Sequence, residues 1–159
     1  MDAYVFYAFS LILTFTASEA PQKHPDFSGI WSVSAIRPAP AEGGAGALPP
    51  SDLTIRQTET ELSISRTAFD VVRTMTYDLA GRESTNKSGA VTYVTRARWE
   101  GTRLVIEGKA SQITSQGYSA WKLRETYSFD AKRRLLLERE YSYDDGSVKK
   151  SVTELVKKR

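Results

Sequence analysis

From Phe27 onward the chain alternates apolar and polar residues with a period of two, and no stretch of useful length carries the 3.6-residue period of a helix. Phe27, Gly29, Trp31, Val33 and Ala35 fall on one side of the first extended segment, with Ser28, Ser32 and Ser34 on the other. Arg37 to Ser51 holds four prolines and three glycines in fifteen residues, a composition that suits a long loop and no regular element. Beyond it, short β-branched and aromatic runs predict strands at 53–58, 61–67, 70–78, 90–99, 102–110, 119–129, 134–143 and 147–156, with a weaker one at 82–86. Turn residues separate them: Leu79-Ala80-Gly81, Lys87-Ser88-Gly89, Glu100-Gly101, Gln116-Gly117, Asp130-Ala131-Lys132 and Asp145-Gly146. Consecutive strands joined by tight turns make an antiparallel meander. One this long exposes two adhesive edges unless it closes, so the expected fold is all-β, a single up-and-down barrel of 8–10 strands.

Hairpin geometry says which residues share a face, because directly opposed residues point the same way. A turn at Asp130–Arg134 sets Phe129 opposite Leu135, Tyr127 opposite Leu137, Glu125 opposite Arg139 and Leu123 opposite Tyr141. That face is mostly aromatic and aliphatic and is therefore the interior, where it carries one acid and one base. An Asp145-Gly146 turn of the two-residue type pairs Tyr143 with Val148, Tyr141 with Lys150, Arg139 with Val152 and Leu137 with Glu154. The Glu100-Gly101 turn pairs Ala97 with Leu104 and Thr95 with Ile106, which places Trp99, Tyr93 and Val91 inside; Val71, Arg73, Met75 and Tyr77 form a similar face on an earlier strand.

Composition removes chemistries. The 159 residues contain no cysteine and one histidine, His24, which excludes disulfide scaffolds, thiolate metal sites, cysteine nucleophiles and multi-histidine centres, and no cofactor is indicated. Ala3–Thr16 is an apolar run followed by small residues, as in a secretory signal peptide spanning 1–18 with cleavage between 18 and 20. The expected organisation is then a flexible lead-in at 19–26 and one domain at 27–159. That domain would be exported, periplasmic or extracellular, with no stable membrane insertion after cleavage. The net charge of +3 sits largely in Lys132-Arg133-Arg134, Lys149-Lys150 and Lys157-Lys158-Arg159, at hairpin tips or the terminus, where charge keeps edges apart; nucleic acid is not an expected partner. Gly43-Gly44-Ala45-Gly46 lacks the strand, Lys-Ser/Thr and helix of a phosphate loop, and Asp144-Asp145-Gly146 lacks the spaced ligands of a calcium loop. Asn86-Lys87-Ser88 matches a glycosylation sequon, read as an exposed turn.

Phe27-Ser28-Gly29-Ile30-Trp31 at the start of the first strand resembles the G-x-W signature of lipocalins and their calycin relatives, which include the fatty-acid-binding proteins; small exported bacterial lipocalin-like proteins open in a similar way. The resemblance implies a barrel whose base is closed by Trp31 under a basic residue from the last strands, with Arg139 and Lys157 as candidates. Arg139 and Tyr141, at i and i+2, resemble the Arg-x-Tyr carboxylate clamp of fatty-acid-binding proteins. The alternative is that Glu125 already neutralises Arg139, which then only covers Trp31.

The leading expectation is non-catalytic binding of a small apolar or amphipathic molecule inside the barrel, with Trp31, Arg73, Tyr93, Trp99, Trp121, Glu125, Tyr127, Arg139 and Tyr141 as candidate site residues. Small barrels can also be filled by their own side chains. A solid-core envelope module binding through its loops is therefore the competing reading. A lipocalin-fold enzyme comes third, since no nucleophile and base occur together.

Overall fold

The structure, a computed structural model, describes residues 24–38, 52–68 and 71–158. The expected signal peptide, the first part of the lead-in and most of the Pro/Gly-rich loop lie outside these residues. Ten strands follow in order: β1 (Gly29–Arg37), β2 (Leu53–Gln57), β3 (Glu61–Ala68), β4 (Val71–Asp78), β5 (Glu83–Ser88), β6 (Val91–Glu100), β7 (Arg103–Thr114), β8 (Gly117–Phe129), β9 (Leu135–Tyr143) and β10 (Val148–Lys157). They form one antiparallel sheet in the order β4-β3-β2-β1-β10-β9-β8-β7-β6-β5, which wraps into a nearly closed barrel through the β1–β10 ladder.

The break in the ladder falls between β4 and β5, and side chains bridge it. β5 reads Glu83-Ser84-Thr85-Asn86-Lys87-Ser88, and every second residue reaches across. The Asn86 Oδ1 accepts from the Thr76 backbone N–H at 2.8 Å, while its Nδ2 donates to the Thr76 carbonyl at 2.9 Å. Ser84 Oγ accepts from the Asp78 N–H at 2.9 Å, and the Arg73 Nη1 donates to Ser88 Oγ at 3.4 Å. The Asn86 amide thus stands in for a missing backbone partner, meeting the demand that backbone polar groups be paired. It is buried in β5 and so does not present the exposed turn expected of a glycosylation sequon.

One end of the barrel is solid. Phe27, Trp31, Leu104, Tyr127 and Leu135 are fully or almost fully buried there, with Phe27 against Phe129 (ring centroids 5.1 Å apart) and Trp31 against Phe129 (5.8 Å). The Trp31 Nε1 donates to the Phe27 carbonyl at 2.9 Å, so the indole is buried without an orphan donor. The lead-in is held from His24 on: the imidazole stacks on Trp99 at 4.3 Å, Phe27 N–H donates to Gln57 Oε1 at 3.0 Å, and Gln57 Nε2 donates to the Pro25 carbonyl at 2.9 Å. The basic cover over Trp31 is Lys157, whose Nζ lies 5.5 Å from the ring centroid; Arg139 is engaged elsewhere. Gly29 is required here, because its φ of 143° is one that residues with a side chain rarely adopt and a Cβ would meet Lys157 Cε at 2.4 Å.

Three local expectations are corrected. A bulge between Val33 and Ala35 shifts β1 against β10, so the inward phase passes from Val33 to Ile36, away from Ala35. The β9–β10 hairpin closes with Gly146 N–H on the Tyr143 carbonyl and Tyr143 N–H on the Ser147 carbonyl, a three-residue loop with Gly146 at φ 81°. The pairing therefore moves by one residue: Tyr141 opposes Lys149, Arg139 opposes Ser151 and Leu137 opposes Thr153. Thr153 and Leu155 turn inward as a result, and Glu154 turns outward to meet Arg37 and Arg134, the latter at 2.5 Å. The β6–β7 turn is Gly101-Thr102, which sets Ala97 opposite Ile106 and Thr95 opposite Gly108; the two-residue displacement leaves the faces unchanged.

Candidate ligand cavity

Beyond the aromatic plug the barrel encloses a cavity of about 420 Å³. Its apolar wall comes from Val33, Ile36, Ile64, Met75, Leu123 and Leu137, inward positions of five strands. The same cavity exposes three guanidiniums, Arg66, Arg73 and Arg139, one carboxylate, Glu125, and the tyrosines 77, 93, 127 and 141.

Cross-strand register puts these groups together. β8 sets Glu125 opposite Arg139 of β9, and the Arg139 Nε donates to Glu125 Oε1 at 2.9 Å with both side chains largely buried. The Tyr127 hydroxyl donates to the other carboxylate oxygen at 3.1 Å. Burial pushes the Glu125 carboxyl up, but Arg139, then Arg66, together with these hydrogen bonds outweigh it and hold the group below the usual carboxylate range. Burial alone would favour neutral Arg139; the Glu125 charge more than reverses this, so the pair is fully ionised. The tyrosines respond to the same interior. Desolvation, then the Glu125 charge, pushes the Tyr141 hydroxyl up to about 12 and raises Tyr77 and Tyr127 further, so all three are neutral phenols.

Of the candidate residues, Arg73, Tyr93, Glu125, Tyr127, Arg139 and Tyr141 lie in the cavity wall. The three tryptophans do not. Trp31 belongs to the plug, Trp99 is stacked between His24 and Phe27 at the same end, and Trp121 sits beside Tyr143, 6.3 Å between rings, outside the wall. Sharing an inward face is thus insufficient: Trp31 and Trp99 sit at the end that their own bulk fills. Arg139 is bound to Glu125, as in the neutralised alternative, but it does not cover Trp31.

Arg66 was not singled out from the sequence, although a signal was available. Leu62 and Ile64 are inward on β3, and Arg66 is the next residue at that period; β3–β4 register sets it directly opposite Arg73. Val33, Ile36 and Thr153 also line the cavity, and the last two required the bulge and the three-residue turn to be known.

No protein-family model and no curated protein matches this sequence. Solved structures do. The chain is similar to Caenorhabditis elegans lipid binding protein 8 in its apo crystal structure, with a TM-score of 0.58 and 12% identity over 83% of this chain and 95% of that one. It is similar to human cRBP IV, with a TM-score of 0.54 and 14% identity over 84% and 99% of the two chains. A variant of the fluorescent protein UnaG gives a TM-score of 0.53 and 16% identity over 84% and 96%. At this level of identity the likeness establishes the fold alone, a nearly closed antiparallel all-β barrel.

Proposed function

We propose that the protein binds a small apolar or amphipathic molecule inside the barrel. The observation that carries this reading is the cavity of about 420 Å³, walled by aliphatic side chains and fitted with a few polar groups, within the size range of small-molecule sites. A barrel serving only as a structural module would gain stability by filling that space, since unfilled volume forfeits packing. The similar structure of Caenorhabditis elegans lipid binding protein 8 supports the reading by analogy of fold. Export through the apolar run at 3–16 is part of the proposal, and it places the ligand outside the cytoplasm.

Titration with the neutral, environment-sensitive dye Nile red tests the central claim. Wild type is expected to bind one dye per chain, and Leu123→Trp, which fills the cavity from β8, is expected to abolish binding while its far-ultraviolet circular dichroism stays that of a β-barrel. Absence of saturable binding to wild type, or equal binding to both proteins, refutes the cavity as the site.

A further inference from the structure

Arg66 and Arg73 face one another directly across the β3–β4 ladder, and both line the cavity. Two like charges at opposed positions of an antiparallel pair destabilise the sheet. Inside the barrel Arg139 is balanced by Glu125, and on the outer face Arg134 is balanced by Asp130 and Glu154, and Arg98 and Arg124 by Glu100 and Glu107, while Lys109 opposite Lys122 on the β7–β8 ladder is exposed to water. Among the described residues no carboxylate lies within ion-pair distance of Arg66 or Arg73; the polar contact of Arg73 is the Ser88 hydroxyl at 3.4 Å. Glu125, the one acid among the described residues of the wall, is already held by Arg139 and Tyr127. The described lining residues therefore carry two more positive than negative charges.

The position of the pair matters as much as its charge. Arg73 is exposed, and its Nη2 approaches the β5–β6 turn, 3.8 Å from where a Cβ on Gly89 would lie, whereas the aromatic plug closes the other end. Tyr93 of β6 lines the same cavity.

Accepting the cavity as the ligand site, we infer that Arg66 and Arg73 form a receptor for the anionic head group of an amphiphile, a carboxylate or phosphate monoester, held at the mouth with its apolar chain directed toward the plug. Arg139 is then a structural partner of Glu125 and not the head-group contact. An anion seated between the two guanidiniums relieves their repulsion and gains charge-assisted hydrogen bonds from both. This arrangement has a signature that a structural role lacks: removing Arg73 relieves repulsion in the empty barrel while weakening anion binding.

The test is titration calorimetry of decanol, decanoate and decyl phosphate against wild type, Arg73→Gln and Arg66→Gln, with thermal unfolding of each protein without ligand. Wild type is expected to prefer at least one of the two anions over decanol by about tenfold or more, the equivalent of one charge-assisted contact. Both variants should lose most of that preference, each binding the anions about as tightly as it binds decanol, and empty Arg73→Gln should melt no lower than wild type. Equal affinity of wild type for decanol and both anions overturns the head-group site and leaves the cavity standing. So does an anion preference that survives in both variants. Failure of wild type to bind any of the three refutes the cavity reading and this inference with it.

Discussion

The two halves of the barrel interior are built from the same alternating strands and end up as opposites. At the plug, rings from the lead-in, β1, β6 and β8 interlock: Phe27 touches Trp99, Tyr127 and Phe129, and the buried Trp31 indole donates to a carbonyl four residues back. Farther along the same strands the inward positions are Arg66, Arg73, Tyr93, Glu125, Arg139 and Tyr141, and there the barrel stays hollow. Long side chains with polar ends cannot collapse on each other as rings do, because each charge or hydroxyl must keep a partner or stay wet. The ion pair and the tyrosines therefore hold the walls apart while the plug holds them together.

Breaking the plug is expected to have the largest effect. Trp31→Ala removes a fully buried indole and should cost about 3–5 kcal/mol of unfolding free energy, measured by urea denaturation. If the two halves are separate in function, the folded fraction will still bind Nile red with near wild-type affinity; a parallel loss of binding would show that the plug also shapes the cavity.

Breaking the Glu125–Arg139 pair sharpens the contrast from the hollow side. Arg139→Ala strands a buried carboxylate and should cost about 3 kcal/mol. The pH dependence follows from the sign of the shift. Glu125 titrates below its ordinary range in the folded protein, so its contribution is complete above the ordinary carboxyl pKa and is lost as the pH falls through the lower folded value. Between about pH 6 and pH 3, wild type should therefore lose stability more steeply than Glu125→Gln. Parallel acid profiles would mean that the pair contributes no proton linkage.

The seam tests the smallest difference. Asn86→Ala leaves the Thr76 N–H and carbonyl without their partner and should cost about 1 kcal/mol. Amide exchange should accelerate at Thr76 and Asp78 while residues of the plug remain protected.

Much of this architecture was legible in the sequence because period-two patterning and turn residues are local. Each of the ten strands overlaps one of the expected extended segments, and the β8–β9 register, with Glu125 opposite Arg139, follows from counting outward from the Asp130–Arg134 turn. The next hairpin shows the limit of counting. Asp145-Gly146 marks a turn correctly, but loop length decides phase, and a three-residue loop in place of a two-residue one exchanged Glu154 for Thr153 on the inner face. The bulge in β1 had the same consequence for Ala35 and Ile36 without any glycine or proline to announce it. Free volume was not legible at all. Whether Trp31, Trp99 and Trp121 line a space or fill one depends on which end of the barrel each occupies, a property of strand tilt and closure that no residue carries alone.

The seam has a further consequence, for the order in which the chain assembles. β4 and β5 are joined by a tight turn and would pair at little entropic cost, yet they share no ladder. Continuity of the sheet depends instead on β1 meeting β10, as where Ser34 bonds the Glu154 carbonyl across a sequence separation of 120 residues. Closing so long a loop costs more entropy than closing any hairpin. Each arm, β2 to β4 and β5 to β10, can form by local steps, but the circuit closes only when the two ends of the domain come together. Contacts of such range are associated with slow folding, so nascent chains would remain open sheets until β10 has been synthesised.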